Sequence, residues 1–281
     1  MTLPVLGAAL PIGELKRHRD WLAEADRPLE LQDFLFPQVL DADWRSLVAL
    51  ARGALEGWRG PLGIHGPFFD LVLEARDPEA RALVRRRMLQ GLEVCEALGA
   101  DLMVVHSPFT SWGVQNDFLT GGRGPIVERT AETLAPVLAR AEDAGVTLAV
   151  ENVEDPDAAD RAALVDAIGS PALAVSLDTG HAHYAHVSRG GRPVDWHVIG
   201  AGARLRHVHV QDADGYADRH WPPGMGTVPW RPVFEAIAEH APGARCVLEL
   251  KDPARTREGA AFLAAAGDRK STRLNSSHVC S

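Results

Sequence analysis

The sequence predicts an α/β protein in which eight parallel strands close into a (β/α)8 barrel. Three observations carry this. Eight short apolar runs alternate with helical patterns from end to end, which argues for parallel strands joined by right-handed crossovers. The length, 281 residues, is ordinary for one such barrel. No GxGxxG follows the first strand and no Pro/Gly/Ser-rich linker divides the chain, so neither an open dinucleotide-binding sheet nor a two-domain layout is supported.

In chain order, the strands are predicted at Val5–Leu10, Leu29–Phe34, Leu62–His65, Leu102–His106, Thr147–Glu151, Leu173–Asp178, Leu205–Val210 and Cys246–Glu249. Two intervening helices are clear from periodicity. In Arg81–Leu98 the apolar residues Val84, Met88, Leu92 and Cys95 fall at intervals of 4, 4 and 3. In Ile126–Ala144, Val127, Ala131, Leu134, Leu138 and Ala141 fall at 4, 3, 4 and 3. Each pattern lays one apolar stripe against a sheet. Pro125 suits a first helical turn, and Pro136 is expected to kink its helix or mark a restart. Gly99 and Gly145 read as C-terminal caps. Ser188–Pro193 reads as a loop.

The composition, 46% hydrophobic and 24% charged, is that of a soluble globular protein. No apolar run approaches the ~18–20 residues that span a bilayer. The N-terminus lacks the basic region and long apolar core of a signal peptide, so a cytoplasmic protein is expected. The segment Arg269–Ser281, RKSTRLNSSHVCS, is polar, Ser-rich and without helical period. It reads as a non-native or disordered tail, leaving residues 1–268 as one domain. The tail holds three basic residues, and without them 26 basic residues face 38 acidic ones, a net charge of −12. Such a charge opposes long phosphate backbones, so no nucleic-acid partner is expected. Cys95 and Cys246 sit in apolar contexts and Cys280 in the tail; there is no CxxC motif and no disulfide framework.

The chemistry is expected where strands end. From the third strand on, all six close in or lead to metal-competent residues: His65, His106, Glu151, Asp178 with His181, His209 with Asp218 and His220, and Glu249. A barrel brings the carboxyl ends of its strands to one face. These nine side chains, spread over 185 positions, therefore converge. Any one of them alone could be structural: a histidine at a strand end can simply be hydrogen-bonded, and Asp178 could cap the next turn. A carboxylate closing an apolar strand, as at Glu151 and Glu249, is costly to bury without a partner. Carboxylates mixed with imidazoles suit one to three divalent ions of the Zn, Mn, Co or Mg kind.

The motifs IHGPF, VVHS, VENV, SLDTGH, HVHVQD, DRH and LEL together resemble the xylose isomerase-like TIM barrels, a superfamily of sugar isomerases and epimerases that includes endonuclease IV. The resemblance runs from about Val5 to Ala266. For the sugar epimerase branch it implies one divalent metal held by Glu151, Asp178, His209 and Glu249. The two glutamates would serve as the acid–base pair, and His181 would touch substrate. For the endonuclease IV branch it implies three zinc ions held by these residues with His65, His106, His181, Asp218 and His220. All nine residue types are present. The negative charge and the lack of Lys/Arg-rich loops argue against a DNA-repair enzyme. The epimerases' substrate-gripping Arg has no counterpart in Asp214–Tyr216; the nearby Arg219 lies between two candidate ligands, so substrate handling differs.

The expected function is then metal-dependent isomerisation or epimerisation of a small polyhydroxylated carbonyl compound. The metal would stabilise an enediolate while Glu151 and Glu249 remove and return the proton. A lyase using the same site, a phosphoester hydrolase with clustered metals, and a barrel that binds without chemistry are the alternatives. Trp112 and Trp221, in loops after the fourth and seventh strands, could stack on a sugar face or pack beneath a loop. His207 shares the inward face with His209, one layer deeper. Asn152 and Asp212 could orient ligands. Of His183 and His186, one could support the site, or both could sit at a solvated helix start. The run Gly224-Met-Gly226 is the only hint of a phosphate cradle.

Overall fold

The computed structural model describes residues 3–268; the predicted tail 269–281, with Cys280, lies outside them. The strands are β1 (Leu6–Leu10), β2 (Leu29–Leu31), β3 (Leu62–His65), β4 (Leu102–His106), β5 (Thr147–Glu151), β6 (Leu173–Asp178), β7 (Leu205–Val210) and β8 (Arg245–Glu249). They pair in parallel in sequence order, and β8 closes on β1. Every strand therefore points its carboxyl end to the same mouth.

Paired residues in neighbouring parallel strands face the same side of a sheet. The register therefore aligns the site before any side chain is considered. His106 stands opposite Glu151, Glu151 opposite Ser176, Asp178 opposite His209, and Glu249 opposite Ala9, which in turn faces Glu30. The register between β6 and β7 shifts between Val175 and Ser176. The shift leaves the exposed Arg206 as the extra residue of β7 and keeps both His207 and His209 turned inward. The alternate rows, such as Val105–Val150–Val175, are fully buried beneath the helices.

Two expectations are corrected. The second strand stops at Leu31 rather than Phe34, because the Asp33 carboxylate accepts the Ile12 amide (2.8 Å) and the chain turns at residues 33–35 to bury Phe34. Pro136 neither ends nor restarts its helix, which runs unbroken over Arg123–Ala144. Leu134 before it and Val137 and Leu138 after it are all buried, so packing holds the two halves as one element. The preceding long helix runs Pro78–Leu98, three residues longer than the periodicity indicates, because Asp77 caps its first turn. Gly99 and Gly145 adopt the left-handed C-cap, at φ 74° and 67°. No described helix is long and apolar enough to cross a membrane.

Candidate metal centre

At the carboxyl mouth, one donor atom from each of Glu151, Asp178, His209 and Glu249 lies within 4.8 Å of the others, all four residues being buried. His209 Nδ1 is 2.6 Å from Glu151 Oε1 and 3.4 Å from Glu249 Oε2. Asp178 divides its oxygens. Its Oδ1 accepts the His181 amide (2.7 Å), capping the helix Thr179–Arg189, and Gln211 Nε2 (3.1 Å). Its Oδ2 is buried with no hydrogen-bond partner among the described residues, as is Glu151 Oε2. Buried oxygens without donors are costly, and carboxylates beside imidazoles are the donor set of a divalent cation. The residues present fit such an ion.

Two further groups adjoin this one. His65 and His106 join Glu151 within 4.8 Å, their Nε2 atoms 3.6 and 3.8 Å from Glu151 Oε2. Glu151 thus turns one oxygen to each group. His181, Asp218 and His220 form the third. Asp218 Oδ2 lies 3.3 Å from His181 Nε2 and 3.1 Å from His220 Nε2. In three of these rings Nδ1 is occupied by a backbone carbonyl: Gly66 for His65 (2.9 Å), Asn152 for His181 (2.8 Å) and Glu249 for His220 (3.2 Å). An Nδ1–H donated to a carbonyl leaves Nε2 with a lone pair facing the site. His220 holds a left-handed backbone, φ 48°, which for a non-glycine residue is strain retained at a functional position.

The electrostatics agree with crowding of unlike charges. Burial opposes the charge on Glu151, but the His209 charge and contacts with His209 and His65 outweigh it and hold the carboxyl well below its usual range. At Asp178 the balance is reversed, and burial pushes the carboxyl up to about 6. His181 and His209 are drawn well above the ordinary imidazole value, and His220 up to about 9, because surrounding carboxylates outweigh desolvation. His106, buried with weaker compensation, falls to about 3.

A family model of the xylose isomerase-like TIM barrels matches residues 27–266. The chain belongs to this family. It is 26% identical over 186 residues, 63% of this chain, to the uncharacterised protein MJ1311 of Methanocaldococcus jannaschii. A shorter stretch of 49 residues, 17% of this chain, is 39% identical to fructoselysine 3-epimerase of Escherichia coli O157:H7. These matches span 59% and 18% of the two relatives, less than two thirds of either. Among solved structures, the TTHB071 protein of Thermus thermophilus, from a crystal soaked with ZnCl2, superposes with a TM-score of 0.71 at 27% identity. That match covers 95% of this chain and 100% of the other.

All nine predicted ligands of this xylose isomerase-like barrel converge, but three supporting residues were not legible as such. Glu30 lies beneath His209, with its Oε1 2.9 Å from His209 Nε2. Its signal was a lone carboxylate between two leucines in a strand whose end carries no ligand. Gln211 donates to Asp178 and Asp218 and accepts the His220 amide (2.9 Å). It packs so closely on Gly180 that a Cβ there would lie 2.2 Å from its amide. Gln32 donates to Glu249 Oε1. Asp212 orients no ligand; it accepts from the Gly224 and Val228 amides and from Trp230 Nε1, which fixes the loop after β7. The Gly224–Gly226 run belongs to this loop. His183 is buried against Thr227 (2.7 Å), whereas His186 is exposed. Trp221 lines the cavity above the ligands, with Arg219 stacked 5.2 Å from its ring centre. Trp112 is 61% exposed and does not line that cavity, so its place matches neither stacking over the ligands nor packing beneath a loop.

Proposed function

We propose that the chain is a divalent-metal-dependent isomerase or epimerase of a sugar or sugar phosphate. The observation that carries this is the placement of Glu151 and Glu249. These carboxylates, from strands three apart around the barrel, reach the same nitrogen of His209. They do so at the floor of an open cavity of about 730 Å³. A pair so placed can take a proton from the carbon beside a carbonyl and return one from the other side. A divalent ion held by Glu151, Asp178, His209 and Glu249 would supply Lewis acidity toward the substrate oxygens. Gln32 holds Glu249 from outside the ligand set. His181, whose Nε2 lies beside Asp218, and Trp221, both lining the cavity, are the substrate contacts. The local likeness to fructoselysine 3-epimerase supports a sugar-like substrate.

A second reading, a phosphoester hydrolase with two or three ions, is favoured by one specific observation. Glu151 splits its oxygens between two ligand groups, and a third group stands beside them. Glu30, Glu151, Asp178, Asp218 and Glu249 place five carboxylates together, more charge than a single divalent ion offsets. The net charge of −9 points to small phosphoesters rather than duplex DNA.

Elemental analysis of protein purified without chelator, with residues 269–281 removed, separates the two. About one ion per chain, retained in His65→Ala, with solvent deuterium entering ketose candidates, is the result expected of the isomerase. Two or three zinc ions, lost stepwise in His65→Ala and His220→Ala, with hydrolysis of phosphodiesters, is the result expected of the hydrolase. Absence of bound metal from protein still fully active on sugars would sink both.

A further inference from the structure

We propose that Glu30, which no ligand set needs, is the positioning carboxylate of this centre: it takes the Nε2–H of His209 and so turns Nδ1 toward the cation. The inference rests on the reading that Glu151, Asp178, His209 and Glu249 hold a divalent ion.

Glu30 is the middle residue of β2, the shortest strand, and is 1% exposed. Its neighbours in register are Ala9 and Gly63, which put little side chain beside it. The carboxylate reaches across the barrel interior to β7, where two imidazoles meet it. Its Oε1 lies 2.9 Å from His209 Nε2. Its Oε2 lies 3.2 Å from His207 Nε2, off the hydrogen-bond axis. The two rings stand perpendicular, with centres 4.6 Å apart. His207 is itself fixed, because its Nδ1 takes the Ser176 hydroxyl (2.9 Å) and leaves Nε2–H for Glu30.

With a cation on the Nδ1 side, this arrangement leaves His209 one tautomer. A neutral ring carries one N–H. If that hydrogen sat on Nδ1, the bare Nε2 lone pair would face the Glu30 carboxylate at 2.9 Å, a repulsive contact between two acceptors. With Nε2–H donated to Glu30, Nδ1 is free to join Glu151, Asp178 and Glu249 around a cation, whose charge would offset the contact between acceptors at 2.6 and 3.4 Å. A carboxylate behind a ligating histidine also raises the basicity of the ring. Glu30, His207 and His209 lie within 4.8 Å of one another and could be read as a ligand set of their own. The 2.9 Å contact, with an N–H to fill it, is instead that of a hydrogen-bonded pair, and the 3.2 Å contact to His207 is a polar contact off the hydrogen-bond axis. A purely structural role predicts a different outcome: loss of stability with metal affinity intact.

The test is Zn²⁺ affinity of wild type and Glu30→Gln by chelator competition, with thermal melting of the metal-free proteins alongside. Glutamine keeps the shape and removes the charge. The expected result is an affinity about 10- to 100-fold weaker in Glu30→Gln. Equal affinity, within about twofold, overturns the proposal even if the variant melts lower. Wild type that binds no Zn²⁺ overturns both the proposal and the metal reading on which it rests. If Glu30→Gln does not fold, ¹⁵N-resolved NMR of Zn²⁺-loaded wild type decides. His209 as the Nε2–H tautomer with a metal-shifted Nδ1 supports the proposal, and an Nδ1–H tautomer overturns it.

Discussion

The two mouths of the barrel are built from the same eight strands and handle charge in opposite ways. At the amino mouth, Arg245 opens β8 and pairs with Asp101 (2.9 Å), and Arg204, just before β7, pairs with Asp166 (2.6 Å). Each cation has its own carboxylate, at the solvent edge. At the carboxyl mouth, four buried carboxylates and the exposed Asp218 crowd against six imidazoles, and Glu151 Oε2 and Asp178 Oδ2 are left without a donor. A fold needs only the first arrangement. The second is costly to hold together, and shifted, incompletely satisfied groups in one cleft mark a site of chemistry. The fold is stabilised elsewhere, by rows such as Val105–Val150–Val175 under the helices.

This contrast can be broken at several points. The largest effect is expected at the acid–base pair. Glu151→Gln or Glu249→Gln should lower kcat by about 100- to 10,000-fold on whichever substrate the metal analysis directs, while the metal-free variant keeps a cooperative melt. Full turnover in either would remove that residue from the mechanism. A smaller effect is expected at His197, which lies outside the ligand groups, 3.4 Å from the buried Arg161. Burial and then the Arg161 charge push its imidazole from 6.5 down to about 3. A depressed folded value contributes stability that is present above 6.5 and lost as pH falls toward 3. His197→Gln should therefore reduce proton uptake on unfolding by about one in that window, read from the pH dependence of the melt. An unchanged slope would show that another group carries it. The smallest effect is expected at the amino mouth. Asp101 is 58% exposed, so Asp101→Asn should cost under about 1 kcal/mol and leave the metal count unchanged. A loss of metal there would mean that the two mouths are coupled.

Much of the site was legible because a barrel turns sequence order into spatial order. A residue closing a strand goes to the carboxyl mouth whichever strand it closes, so His65, His106, Glu151, Asp178, His209 and Glu249 could be gathered without coordinates. Asp218 and His220 could be gathered because they lie in the loop that leaves β7 at the same mouth. Glu30 was missed because it sits one layer below the strand ends, and depth inside a barrel depends on how neighbouring strands are staggered. Gln211 was missed because its amide type is common on surfaces, and only its contacts with Asp178, Asp218 and His220 give it a role. Trp112 could not be placed because the helix that carries it, Ser111–Gln115, is too short to show a period that says which way the ring faces.

By itself, the sequence determined the eight-strand alternation, seven strand positions to within a residue and the nine candidate ligands. Each rests on local period, or on topology that the period implies. Only the tertiary structure decided where β2 stops, that Pro136 is carried inside one helix, that Glu151 belongs to two ligand groups, and that Glu30 reaches His209 across the barrel. Those outcomes depend on contacts between residues far apart in the chain. The physical reason is that period and strand order are properties of neighbours, whereas stagger, packing and the direction of a carboxylate oxygen are settled by what lies opposite.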